Sequence, residues 1–186
     1  IMVVTGVQTC ALPILFLDYS NLDHAQYVSH SFYMEELSVD MQINCVSSPN
    51  FLKDGEQLLS FYELMDYDQY NLFMKEENIS KQFDMMVDIV KLKTGLDCKN
   101  YLIKTLALDV IIKNPDRHLN NLSIIKNKDN SWKLAPCYDN GLALLSNCKF
   151  FPLNEDDDDT DDNSWDKIPM MTFNSTEQDD YINLIQ

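Results

Sequence analysis

Glycine is scarce in this chain, with four residues in 186. None stands in a G-x-G-x-x-G string, so the sequence holds no glycine-rich loop of the kind that covers nucleotide phosphates. Basic residues are also few: fourteen Lys and Arg face thirty Asp and Glu, for a net charge of −16. That balance argues against nucleic-acid binding, in which cationic side chains displace the counterions condensed on phosphate. No apolar run approaches the roughly eighteen residues of a membrane span. The five cysteines (Cys10, Cys45, Cys98, Cys137, Cys148) are odd in number and lack CxxC or zinc spacing. They read as reduced thiols, which predicts a cytoplasmic protein. Of the three histidines, His24 and His30 have no cysteine or acid at metal spacing and are expected at the surface.

The apolar content is 45% with 24% charged residues, the balance of a globular protein with one core or part of a larger one. The chemistry is concentrated in residues 108–145. Asp116, Arg117, His118 and Asn121 form a D-R-H-x-x-N string, and a Y-D-N-G turn with Asp139 and Gly141 follows two short β-like runs. An acid, an amide five residues on, and a second acid beyond a hairpin suit phosphoryl transfer. The first acid accepts the proton of the attacking hydroxyl, while the amide and the second acid hold Mg²⁺ against the phosphates. Mg²⁺ takes few protein oxygens, so one Asn and one Asp suffice. Taken singly, Asp116 and Asn121 would be ordinary turn residues; the joint pattern carries the signal. Arg117 is open to three readings: a phosphate partner, a carboxylate partner, or a solvated side chain.

The strings N-P-D-R-H-L-N-N and A-P-C-Y-D-N-G, with a hairpin between them, resemble the catalytic segment of HipA-like serine/threonine kinases. The resemblance covers about residues 40–153. It implies Asp116 as the catalytic base, Asn121 and Asp139 as ligands of Mg²⁺ and contacts for ATP, and His118 and Gly141 as structural members of the loop. His118 is expected to brace that loop by hydrogen bonding. Phosphoinositide-kinase-like enzymes share D-R-H-x-x-N, but the A-P-x-Y-D approach to the second acid favours HipA. Two departures from the kinase pattern are Asn140, where many kinases have Phe, and Pro115 before the catalytic Asp. The resemblance also implies a Ser/Thr protein substrate, and an antitoxin-type protein as a partner.

In chain order, Val4–Ile14 reads as a translated sequencing adapter, so residues 1–14 are set aside as non-native. Residues 15–53 are expected to be a remnant N-lobe hairpin and hinge. Its strands are Leu15–Tyr19 and Gln26–Tyr33, and residues 38–53 are an extended linker. A first helix is predicted over Gly55–Met65, capped by Asp54 with Gln57 completing a capping box. A second spans Gln69–Glu76. A third spans Ser80–Thr94, capped by Asn78 or Ser80 and stopped by Gly95, with Phe83, Met86, Val87, Val90 and Leu92 inward. The fourth, Cys98–Ile112, is apolar on most sides and delivers the chain into Asn114-Pro115-Asp116. Leu122–Lys126 and Ser131–Leu134 form a ribbon turning at Asn127–Asn130. Cys137 reads as a small packing residue.

The expected fold is therefore α+β and protein-kinase-like: a mostly helical C-lobe over residues 54–153 with a short β-ribbon at the site. Residues 154–186 should form an acidic, solvated loop and an incomplete C-terminal segment. With no glycine-rich loop and no lysine in a V-A-x-K strand, the chain is expected to be a fragment, inactive alone. Two other readings remain: a lipid or small-molecule kinase, and a non-catalytic interaction module. Loss of either acid would favour the module, and both are present.

Overall fold

A computed structural model of the protein describes residues 2–5, 17–34, 41–141 and 143. The expected acidic loop and the segment 163–186 lie outside the described residues, as do 6–16. Two three-stranded antiparallel sheets and four helices make up the rest. The first sheet has β1 (Met2–Thr5), β2 (Val28–Met34) and β3 (Met41–Ser48) in the order β1-β3-β2. The second has β4 (Gln57–Ser60), β5 (Ser123–Lys126) and β6 (Trp132–Leu134) in the order β4-β5-β6. The helices are α1 (Phe61–Leu64), α2 (Tyr67–Lys75), α3 (Ile79–Thr94) and α4 (Lys99–Ile111).

The upstream hairpin keeps the expected strand near Gln26–Tyr33 but pairs it with a different partner. Strand β2 pairs with β3, with Val28 opposite Ser47 and Met34 opposite Met41, so much of the expected linker is a strand. Residues 17–19 form a helical turn instead of a strand. Leu17 is buried there against a small cluster with Leu22, Leu108, Ile112, Cys137 and Ala143. Burial of one leucine on α4 outweighs its β propensity, a tertiary override of a local preference. Met2–Thr5, from the stretch set aside as non-native, pairs with the far side of β3. His24, expected at the surface, keeps only 10% of its side chain exposed and pairs with Asp18 at 3.1 Å.

The first predicted helix is the second correction. Gln57–Ser60 is a strand on β5, with Leu59 opposite Ile124, and the helix begins only at Phe61. Gly55 adopts φ +80°, and a Cβ there would collide with the Lys128 side chain, so this glycine closes a turn against the ribbon. Lys133 holds Glu56 at 2.7 Å and Lys128 holds Asp54 at 3.2 Å, both across to the hairpin. The capping box moves accordingly: Ser60 Oγ accepts the Glu63 N–H at 3.2 Å, and the Glu63 carboxylate accepts the Ser60 N–H at 2.7 Å.

The remaining helices follow the sequence closely. Asp66 and Gln69 form a second capping box at the start of α2. Asn78 caps α3, accepting from the Lys81 N–H at 3.0 Å. Gly95 ends α3 with φ +76°, the left-handed stop that glycine takes without a Cβ penalty. Phe61, Met86, Val90, Leu102, Leu106, Leu122 and Ile124 are fully buried together, joining α1, α3, α4 and β5 into one core. Each such side chain contributes about 1.5–3 kcal/mol of burial free energy. Leu92, expected inward, is 77% exposed, and Ile111 at the end of the apolar helix α4 is 59% exposed. The predicted ribbon is present, turning through Asn130 at φ +63°.

Candidate active site

The site grows from the C-terminal end of α4. This helix is apolar except for a few residues, and Asp109 is the one acid between Tyr101 and Ile112. Its side chain is fully buried. Asn114 donates its Nδ2–H to Asp109 Oδ1 at 2.8 Å, after a reversal at Lys113 with φ +51°. Asn114 Oδ1 in turn accepts the Asp116 backbone N–H at 3.3 Å. The N-P-D turn is thus hung on the helix end by two side chains.

Arg117 is fully buried and has none of the exposure that a phosphate-gripping or solvated arginine needs. It donates from Nε to Asp109 Oδ2 at 2.9 Å and from Nη2 to Asp109 Oδ1 at 3.1 Å, a bidentate fork. Its Nη1 donates to two backbone carbonyls, of Asn121 at 3.2 Å and Tyr138 at 2.6 Å. Its Nη2 also donates to Asn140 Oδ1 and lies 3.5 Å from Cys137 Sγ. Burial by itself would lower the guanidinium pKa, but the Asp109 carboxylate beside it holds the group above its ordinary range. Of the three readings the sequence left open, the structure takes the carboxylate partner. Cys137 is buried beside this pair, and burial pushes its thiol pKa up, so it packs as a neutral group.

The predicted site residues surround that guanidinium. Asp116 keeps 29% of its side chain exposed. Burial raises its carboxyl pKa and the charge of Asp139 raises it further, against the opposing pull of His118 and Arg117. Asn121, in a 3-10 turn over Leu119–Asn121, donates Nδ2–H to the Asp116 carbonyl at 3.0 Å. That bond orients the amide, and no donor among the described residues takes its Oδ1. Asp139 is exposed and sits at φ +56°, a left-handed conformation that Asp tolerates better than most residues. Gly141 lies alongside, where a Cβ would be 4.0 Å from Asp139 Oδ1. His118 joins the loop through its backbone, donating to the Asp116 carbonyl at 3.0 Å and accepting from the Asn121 N–H at 2.8 Å. Its ring Nε2 is 4.0 Å from Asp116 Oδ1, and Nδ1 is buried without a partner among the described residues.

Two further residues support the Asp139 side and escaped sequence reasoning. Tyr27 accepts the Asp139 backbone N–H on its hydroxyl at 3.0 Å, and burial pushes its own pKa up to about 12. The chain around it runs beside the Y-D-N-G approach, with Ala25 N–H donating to the Cys137 carbonyl at 2.8 Å and Cys137 N–H to the Asp23 carbonyl at 2.7 Å. Tyr138 hydroxyl bonds Ser123 Oγ at 2.6 Å and the Asn120 carbonyl at 2.8 Å, tying the second acid's strand to the first loop. Asp109 had a signal, an acid in an apolar helix eight residues before an arginine. Tyr27 had none, being 112 residues from its partner.

A concavity of about 370 Å³ opens beside the two loops, lined by Leu58, Ser60, Tyr62, Asn120, Ser123 and Tyr138. Asn120 and Tyr138 directly precede Asn121 and Asp139 in the chain. Among the described residues no cluster of three or more His, Cys, Asp or Glu forms a self-sufficient metal cage. The available set, two carboxylates and an amide oxygen, suits a hard cation that keeps most of its waters.

A helical lobe, a ribbon between two acids and an oriented amide define a kinase-like protein. The model of the HipA-like C-terminal domain matches residues 53–180, more than half of the chain, and the protein belongs to that family. Among solved structures it is similar to the Helicobacter pylori proinflammatory kinase CtkA, with a TM-score of 0.57 and 13% identity over 78% of this chain. The match covers 52% of that kinase, so this chain spans about half its length. No curated protein sequence matches it.

Proposed function

We propose that the protein is an ATP-dependent phosphotransferase that moves the γ-phosphoryl group of Mg-ATP to a Ser or Thr hydroxyl of a protein substrate. One observation supports the reading: a single buried guanidinium bonds the carbonyls of Asn121 and Tyr138, which brings together the segments of the two proposed metal ligands, and the Asn121 amide bonds the Asp116 carbonyl. When bound, Mg²⁺ would neutralise phosphate charge, and the oxygens of Asp139 and Asn121 are the groups to hold it. Burial and, to a lesser degree, the charge of Asp139 raise the Asp116 pKa, and a cation beside the two carboxylates would relieve the second. Asp116 is the proton acceptor for the attacking hydroxyl, and a raised pKa makes it a better base. The concavity at Asn120 and Tyr138 is the seat for the nucleoside, within reach of phosphates at Asn121 and Asp139. A cytoplasmic location and an antitoxin-type protein partner complete the proposal. They rest on the reduced-thiol reading of the cysteines and on family resemblance.

The test is steady-state kinetics on the enzyme at its full natural length, with Mg²⁺ varied. Asp116→Asn should lower turnover about 10²–10⁴-fold, the usual loss on removing a positioned base, with little change in KM for ATP. Asp139→Asn should raise the Mg²⁺ requirement. Unchanged Mg²⁺ and ATP dependence in Asp139→Asn would contradict its role, and label recovered only in lipid or a small molecule would overturn the protein acceptor.

A further inference from the structure

Arg117 is the largest fully buried side chain in the described residues, and its guanidinium bonds backbone on both sides of the proposed site. Its position excludes contact with any substrate, since no part of it reaches solvent. It also does more than neutralise Asp109. Two of its nitrogens serve the Asp109 carboxylate, and the same fork reaches the Asn121 carbonyl, the Tyr138 carbonyl and Asn140 Oδ1. The first of these belongs to a proposed metal ligand, and the other two flank the second ligand, Asp139.

We infer that Arg117 is a positioning residue that sets the spacing between Asn121 and Asp139, with Asp109 as its anchor on α4. The assignment rests on the metal roles proposed above for those two residues. The physical argument is one of rigidity. Asn121 ends a single 3-10 turn closed by one backbone bond to the His118 carbonyl, and Asp139 lies in a loop at positive φ outside any strand. A planar guanidinium offers donors at fixed angles, so the two carbonyls it bonds cannot separate without breaking one bond. Asp109 fixes the fork in turn, because α4 is locked into the main core by Leu102 and Leu106. Asp109 also fixes the other side of the site through Asn114, which holds the Asp116 N–H. One helical carboxylate thereby references all three functional residues to the same rigid element. Lysine could not substitute, having three donors on a flexible stem and no fork.

The test uses the ¹⁵N-labelled chain and Mn²⁺ alone, read by paramagnetic loss of individual backbone amide signals. Site-specific signals separate this binding from ion association elsewhere on an acidic protein. In the unaltered chain the signals of Leu122 and Asp139 should vanish together, at one Mn²⁺ concentration. The paired change Asp109→Leu with Arg117→Met removes both charges and keeps the volume, so no unpaired ion is left in the interior. In that variant both signals should persist to roughly 10–100-fold higher Mn²⁺, the usual loss when an outer partner of a metal ligand is removed. Asn140→Ala leaves the ion pair whole and removes one bond on the Asp139 side; it should raise the Mn²⁺ concentration at which both signals are lost at least about twofold. Either folded variant losing both signals together at the unaltered concentration overturns the positioning role. Should the pair fail to fold, Asn140→Ala decides alone by the same criterion. If Asp139→Asn and Asp116→Asn leave the loss of signal unchanged, the metal site itself is wrong, a failure distinct from that of Arg117.

Discussion

The protein has two dry interiors of opposite material. Beneath α1, α3 and α4 lies an apolar core of Phe61, Met86, Val90, Leu102, Leu106, Leu122 and Ile124. Beneath the candidate site lies a polar one, in which Asp109, Asn114, Arg117, Asn121 and Asn140 are all buried. The apolar core gains free energy from area removed from water and tolerates small shifts in geometry. The polar interior gains little in net terms, because desolvating ions costs nearly what their pairing returns. Its value is that it works in one arrangement only. The contrast teaches where each kind of interior is used: burial holds the lobe together, while the bonded network sets where Asp116, Asn121 and Asp139 stand.

The strongest way to break this contrast is to remove one member of the polar interior. Asp109→Leu alone leaves the Arg117 charge buried and unpaired, and should destabilise the fold by about 3–5 kcal/mol in chemical denaturation. The paired change with Arg117→Met should recover most of that. A single change as mild as the pair would mean that water reaches the guanidinium.

The matching cut in the apolar core is Leu102→Ala, expected to cost about 2–5 kcal/mol according to how far the site collapses. Its loss should leave the Mn²⁺ signature of the remaining folded fraction unchanged, since Leu106 still holds α4 in the core. A folded Leu102→Ala chain with altered Mn²⁺ response would erase the division between the two interiors.

Ser60→Ala probes the junction where β4 hands over to α1. Loss of the cap should cost about 0.5–2 kcal/mol, with Glu63 left without its reciprocal partner. An Asp54→Ala change should cost close to nothing by comparison, since its partner among the described residues is an exposed lysine at 3.2 Å. Equal costs would restore the helix over Gly55–Met65 expected from sequence.

The smallest effect has the opposite sign. Burial and the nearby charge of Asp139 raise the Asp116 pKa, so ionising Asp116 is harder in the folded chain than in the unfolded one. A raised folded pKa means the stability cost is absent below the unfolded value and fully present above the folded one. Asp116→Asn should therefore stabilise the fold at pH 7, by less than the Ser60 cap contributes. The gain should fade as pH falls toward the ordinary carboxylate range, about pH 4. Thermal unfolding across that range reads it directly, and a loss of stability at pH 7 would show that the folded chain favours the carboxylate.

Much of the helical lobe was legible because its signals are local. Asn78 and Gly95 bound α3 at both ends, and Asp66 with Gln69 opens α2, by bonds between residues a few positions apart. The D-R-H-x-x-N string, the turn at Asn127–Asn130 and the Y-D-N-G segment are likewise short-range, and single out the candidate residues in the sequence. The segment 57–60 misled for the same reason: its leucines fit a helix, and only pairing with β5, distant in sequence, makes them a strand. Leu17 and Leu92 show the two directions of that error, one drawn inward by α4 and the other left outside on an α3 face.

Residue identity and short spacing were enough to single out Asp116, Asn121 and Asp139 as candidates and to propose a chemistry for each. Spacing along a chain carries no information about which distant groups share a buried volume. The choice of Asp109 as the partner of Arg117, the hydroxyl of Tyr27 beneath Asp139, and the hydrogen bonds across both loops arise only when α4, the ribbon and the upstream segment close on one another. An arginine reads alike in sequence whether it faces water or an acid, and the fold decides by removing the water.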